Sequence, residues 1–126
     1  MEGNFHNRDL GAWGETHAAD FLTEQGYTIV ERNYRIRKAE IDIIAWQEID
    51  KEKTLCFIEV KTRGGFEGSA ERATQAKNKL QKIQMAAKSY LEEHDIDLGS
   101  VPIQFEHVSV YVHGGAPLCT LYTIPL

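Results

Sequence analysis

Four charged residues sit where their neighbours set an apolar pattern. Glu15 falls on the i, i+3, i+4, i+7 stripe of Ala18, Ala19 and Leu22, the spacing of a helix face turned toward a core. Asp42 lies within the strand-like run Glu40-Ile41-Asp42-Ile43-Ile44-Ala45-Trp46, and simple alternation sets it on one face with Glu40 and Ile44. Glu59 and Lys61 end the run Leu55-Cys56-Phe57-Ile58-Glu59-Val60-Lys61, on one face with Leu55 and Phe57 and about 7 Å apart. A Glu-x-Lys by itself says little, since about one is expected by chance at this composition. Together, however, the four set three acids against one base. They could pair as a buried salt-bridge cluster, but a surplus buried charge is costly. A divalent cation removes that surplus, and carboxylate oxygens, water and a substrate phosphate are the usual holders of Mg2+. A lysine beside it would orient an attacking water or stabilise charge developing on phosphorus. Spacing leaves both the salt-bridge cluster and the metal site open.

These residues need elements to position them. A first helix spans about Ala12 to Gln25 and closes at Gly26, suited to a left-handed cap. Extended segments follow at Tyr27 to Tyr34, Glu40 to Trp46 and Leu55 to Lys61, with a polar loop at Gln47 to Lys53. The third is apolar on both faces at first, as a central strand covered on both sides must be. After the turn glycines Gly64, Gly65 and Gly68, Thr74 is a plausible cap for a helix from about Gln75 to Glu93. Its stripe is Leu80, Ile83, Ala87, Tyr90 and Leu91, and Lys77 on the same face is expected to point inward. Strands at Ile103 to Val112 and Leu118 to Ile124 meet at a turn around Gly114, Gly115 and Pro117. The order αβββαββ is an α/β fold, with helices packed on a mixed sheet of about five strands.

Composition bounds what such a fold can be. At 126 residues, 42% hydrophobic and 26% charged, the chain has the size and make-up of one globular domain, residues 1–126. No hydrophobic run exceeds four residues, and the start Met-Glu-Gly-Asn-Phe-His lacks the basic and apolar parts of a secretory signal, so a cytoplasmic protein without a membrane span is expected. Cys56 and Cys119 have neither metal-ligand spacing nor disulfide density and read as buried free thiols. The histidines His6, His17, His94, His107 and His113 are too dispersed for a helix-borne metal site and read as ordinary ones. Trp13, Tyr34 and Trp46 could stack on bases, although core packing suits Trp46 better.

The net charge of −5 at first argues against a phosphate-rich partner. It averages two unlike regions. Residues 28–40 and 61–88 hold eleven of the fourteen basic residues and four of the nineteen acids, a local balance of +7 against −12 elsewhere. Arg32, Arg35, Arg37, Lys38, Arg63 and Lys77 lead this basic set and are the candidate nucleic-acid contacts. The expected molecule is two-faced, with a basic rim around an acidic site.

At this point several motifs fall in register: Gly14-Glu15, Gly26-Tyr27, Arg32-Asn33-Tyr34-Arg35, Glu40-Ile41-Asp42-Ile43-Ile44-Ala45, Phe57-Ile58-Glu59-Val60-Lys61-Thr62-Arg63, and Lys77 with Ala86-Ala87 and Tyr90-Leu91. Over residues 11 to 92 the chain resembles the YraN family of small bacterial proteins, within the PD-(D/E)xK superfamily, and is similar in motif layout to archaeal Holliday-junction resolvases. Ala39 stands where that family more often has Gly, and Gln104-Phe105-Glu106 replaces an Arg-Phe-Asp stretch. The resemblance implies a restriction-endonuclease-like three-layer fold. It makes Asp42 and Glu59 the Mg2+- or Mn2+-binding acids, Glu15 the helix-borne acid that completes the site, Lys61 the signature lysine and Lys77 an extra basic residue near the site.

The implied activity is metal-dependent endonucleolytic hydrolysis of DNA, DNA being favoured over RNA, with branched or structured DNA among the substrates to consider. The alternative is a nucleic-acid-binding protein that keeps the fold but needs a protein partner or an assembled homodimer to act. A plain interaction domain with a structural charge cluster is the third class. Superfamily membership alone does not choose among them.

Overall fold

The computed structural model describes the backbone of residues 7–63, 69–114 and 116–125, and the side chains of residues 10–63, 78–112, 114 and 116–125. His6, Gly64, Gly65, Gly68, Gly115 and the side chains of Lys77 and His113 lie outside that description. Helix α1 (Asn7–Glu24) leads into strands β1 (Thr28–Arg35), β2 (Glu40–Ile49) and β3 (Glu52–Arg63). Helix α2 (Ser69–Glu93) and strands β4 (Ile103–His113) and β5 (Ala116–Ile124) follow.

α1 ends as its sequence requires. Gly26 has φ +97°, and the backbone N–H groups of Gly26 and Tyr27 reach back to the carbonyls of Thr23 and Leu22 at 3.0 and 2.9 Å, which satisfies the last turn. The hairpin between β2 and β3 closes through Asp50 and Lys51, both with positive φ, 52° and 68°, as a two-residue turn of this kind demands. Gln47 pairs with Thr54 and Ile49 with Glu52, so most of the segment expected to be a loop is paired strand. α2 begins at Ser69 rather than after Thr74. The stretch Ser-Ala-Glu-Arg-Ala before Thr74 is rich in good helix formers and carries the helix upstream.

The five strands lie in sequence order, β1-β2-β3-β4-β5. All neighbours are antiparallel except β3 and β4, which are parallel. A parallel pair needs a crossover, and α2 supplies it. Two apolar clusters sandwich the sheet. Ala18, Ala19 and Leu22 of α1 pack on Ile43, Ala45, Cys56, Ile58, Val108 and Val110. Ile83, Ala87 and Leu91 of α2 pack on Ile44, Leu55, Phe57 and Phe105. β3 is therefore buried on both sides, the reason for its unbroken apolar run. The mixed sheet with a helix on each face is the restriction-endonuclease-like architecture expected from the sequence.

Two local features set the position of the charged residues. A Cβ at Gly14 would overlap the side chain of Thr62, so only glycine lets α1 approach the C-terminal end of β3 this closely, and Glu15 is the next residue. The second feature is a change of face in β1 and β2. Ile43 belongs to the α1-side cluster but Ile41 to the α2-side one. Their partners divide likewise, since Arg32, opposite Ile43, reaches Glu15, whereas Tyr34, opposite Ile41, packs under α2. Between them Asn33 takes φ 56°, a conformation Asn tolerates better than most residues. Simple alternation therefore breaks between Ile41 and Ile43, while Glu40 and Asp42 stay together as it set them.

Candidate active site

The regular pairing of β2 with β3 runs from the hairpin to Ile43 and Ile58. Beyond it, the Val60 backbone N–H donates to Asp42 Oδ2 at 2.7 Å. A carboxylate thus replaces a ladder carbonyl, and the two strands part. Asp42, Glu40, Glu59 and Lys61 line the resulting cleft of about 650 Å3, which α2 borders with Lys79, Lys82 and Ile83. Arg35, Arg37 and Lys38, from the end of β1 and the turn into β2, also line it.

Carboxylate oxygens of Glu15, Glu40 and Asp42 come within 4.8 Å of one another. Burial is the main cause that pushes Asp42 up from 3.8 to about 6, and nearby Glu15 and Glu40 push the same way, while the Val60 N–H and Lys79 oppose them. Burial likewise raises Glu15 above the usual carboxylate range, with Arg32 pulling it back and Glu40 adding to the rise. Arg32 lies 3.6 Å from Glu15, and Arg35 lies 3.4 Å from Glu40. Among the described residues no cation pairs directly with Asp42.

Glu59 is held differently. Lys79 pairs with its Oε2, and His107 Nδ1 lies 3.6 Å from Oε1. His107 faces Glu59 because the parallel register sets the two opposite each other. His107 Nε2 is 3.0 Å from Ser109 Oγ, which also accepts from Arg63 Nε at 3.3 Å.

The structure brings Asp42, Glu59 and Lys61 to one cleft and sets Glu15 against Asp42. Glu40, Lys79 and His107 were not singled out from the sequence. Glu40 was placed on one face with Asp42 by simple alternation but given no role there. The register that pairs His107 with Glu59 has no sequence signal. Of the expected nucleic-acid contacts, Arg35, Arg37 and Lys38 line the cleft, and Arg32 lies against Glu15. Arg63 is a correction. It is only 4% exposed, under the parallel pairing with Tyr111 of β4, so it is an interior residue rather than a surface phosphate contact. One of its terminal nitrogens has no hydrogen-bond partner among the described residues.

Cys56 is a buried free thiol and Cys119 a half-buried one, and burial with the nearby Glu106 pushes Cys56 up to about 12, far from a reactive thiolate. Tyr34 is buried and donates to Glu93 Oε1 at 2.7 Å, which removes it from base stacking. Trp46 packs against the α2-side core and Trp13 against the α1-side one. Glu106, in the stretch that departs from the resembled family, is buried and accepts from the Tyr27 hydroxyl at 2.8 and 3.0 Å. No helix among the described residues is long and apolar enough to cross a membrane.

The donor set around Asp42 consists of carboxylate oxygens, hard ligands that suit Mg2+ or Mn2+ rather than soft metals. A UPF0102 protein of Desulforapulum autotrophicum is 44% identical over 107 residues, covering 85% of this chain and 84% of its own. One from Flavobacterium psychrophilum is 39% identical over 106 residues, with 84% and 82% covered. One from Syntrophomonas wolfei is 37% identical over 115 residues, with 86% and 90% covered. Residues 14–110, which include all the acids and lysines of the cleft, match the profile described as "Uncharacterised protein family UPF0102", the YraN family, and the chain belongs to that family.

Proposed function

We propose that this protein is a divalent-metal-dependent nuclease that hydrolyses DNA phosphodiester bonds. The observation that carries the reading is the close approach of Glu15, Glu40 and Asp42 around a half-buried Asp42, in a cleft that Lys61 also lines. Three acids so placed repel one another, and Arg32 and Arg35 offset two of them from outside. The charge left at Asp42 suits an oxygen-liking dication, Mg2+ or Mn2+.

Asp42, Glu15 and Glu40 would hold the cation, and Glu59 would complete the set on the β3 side. When bound, the cation supplies positive charge to a phosphoryl oxygen and eases deprotonation of a water. The Val60 N–H fixes Asp42 Oδ2 and leaves its other lone pairs as donors. Lys61, exposed in the cleft, brings its Nζ to the attacking water or to the oxygen on which charge develops. Arg35, Arg37, Lys38 and Lys82 give the cleft a positive lip that a phosphate backbone would meet before the acids.

The test is cleavage of labelled branched, flapped and single-stranded DNA by pure protein with Mg2+ or Mn2+. Cleavage lost in Asp42→Asn, Glu59→Gln and Lys61→Met supports the nuclease. Binding of the same DNA without cleavage under any of these conditions would replace it with the non-cleaving binding protein, acting through a partner or as a homodimer.

A further inference from the structure

Glu59 differs from the other acids of the cleft in having a lysine of its own. Glu15, Glu40 and Asp42 cluster, while Glu59 pairs through Oε2 with Lys79 and lies beside His107 through Oε1. The Glu59 side chain is only 12% exposed, whereas that of Lys79 is 50% exposed. The pair thus joins a shielded acid to a long, half-exposed side chain, and both line the cleft. Lys82, one helical turn further along α2, borders the same cleft without an ion pair to Glu59. A dication drawing on Glu59 and an ammonium on its Oε2 are like charges competing for one carboxylate, so they cannot both be held there at full strength.

We infer that Lys79 is a positioning residue that changes partner: it neutralises Glu59 before a divalent cation enters and then passes to a phosphate of the nucleic acid in the cleft. The inference rests on the nuclease reading and assigns to its site a coupling between metal uptake and substrate binding. Cation entry displaces Lys79, which adds a positive contact for the phosphate. By reciprocity, a phosphate that engages Lys79 makes Glu59 more available to the cation.

Calorimetric titration with Mn2+ of wild type, Lys79→Met, Lys82→Met, Glu59→Gln and the double variant Lys79→Met/Glu59→Gln tests the first half. Lys79→Met should bind Mn2+ about fivefold or more tightly than wild type, a coupling of ordinary allosteric size. Lys82→Met reports the loss of a nearby charge alone and should change affinity less than twofold, roughly the weight of an exposed charge. In the Glu59→Gln background most of the gain from Lys79→Met should vanish, leaving only the smaller effect of the Lys79 charge on Asp42. Equal gains in Lys79→Met and Lys82→Met, or a gain that persists undiminished without Glu59, would overturn the inference while leaving the metal site standing. No Mn2+ uptake by wild type would remove the metal site and this inference with it.

The second half is read with a fluorescein-labelled single-stranded oligonucleotide, using Ca2+ to load the site without relying on turnover. The gain in affinity on adding Ca2+ should shrink in Lys79→Met and persist in Lys82→Met. An undiminished gain in Lys79→Met would overturn the transfer to phosphate.

Discussion

Asp42 is the residue on which the site's electrostatics turn. With its folded value at about 6 against 3.8, the fold prefers Asp42 protonated. That preference is fully felt below pH 3.8 and is lost as pH rises through about 6, so the ionised carboxylate burdens the fold at neutral pH. Asp42→Asn keeps an acceptor for the Val60 N–H but removes the charge. It should be more stable than wild type by about 1 to 3 kcal/mol at pH 7.5, with the advantage closing toward pH 4. Urea unfolding at the two pH values checks this, and a difference independent of pH would contradict it. The same protonation makes Mn2+ uptake weaken as pH falls from 7 to 5.5, because a proton and the cation compete for one carboxylate. Lys61→Met should lower cleavage by about 100-fold or more while changing Mn2+ affinity little, since Lys61 lines the cleft without being a ligand. At this scale much of the site was legible, because Glu15, Asp42, Glu59 and Lys61 break an apolar pattern that neighbouring residues make strict. Glu40 and His107 break no such pattern. Glu40 shares a face with Asp42 by alternation, but its nearness to Glu15 is tertiary, and His107 comes in only through the register of β3 on β4.

Strand pairing places Asp42 and Glu59, and a close approach of helix to strand places Glu15. α1 delivers Glu15 because Gly14 lets it settle on Thr62 of β3. Gly14→Ala should therefore destabilise the protein by about 2 kcal/mol or more, in the range of an overpacked contact, and Thr62→Ala in the same chain should recover part of the loss. Thermal unfolding of the two single variants and the double variant measures it, and strict additivity would contradict the contact. Strand and helix identities were readable from periodicity, as were the Gly26 cap and the central place of β3. The boundaries were less so. The hairpin at Asp50 and Lys51 uses left-handed conformations at non-glycine residues, which do not advertise a tight turn, and helix formers before Thr74 override a residue that reads as a cap. The two-residue alternation failed between Ile41 and Ile43 because β1 and β2 change faces together there, a tertiary feature with no periodic signature.

Across the whole molecule, charge is partitioned rather than balanced. The net −5 holds a +7 region, and its cleft-lining members Arg35, Arg37, Lys38, Lys61, Lys79 and Lys82 surround the acids. Binding of single-stranded DNA should weaken steeply with salt, with a log–log slope of about −2 to −4 for roughly three to five phosphate contacts. The double charge reversal Arg37→Glu/Lys38→Glu should reduce that affinity about tenfold or more without moving the melting temperature, because both residues lie on the lip of the cleft. Equal binding by the variant, measured by fluorescence anisotropy, would place the nucleic-acid contact elsewhere. The buried Arg63 should contribute nothing to the slope except through loss of fold. All of this depends on the acids of α1 and β2 acting as a cation site, which anomalous diffraction from a Mn2+-soaked crystal tests most directly. The account predicts one strong peak within bonding distance of Glu15, Glu40 and Asp42 carboxylates and reached by Glu59, with Lys79 moved off Glu59. A crystal soaked at millimolar Mn2+ with no peak among those carboxylates would contradict it.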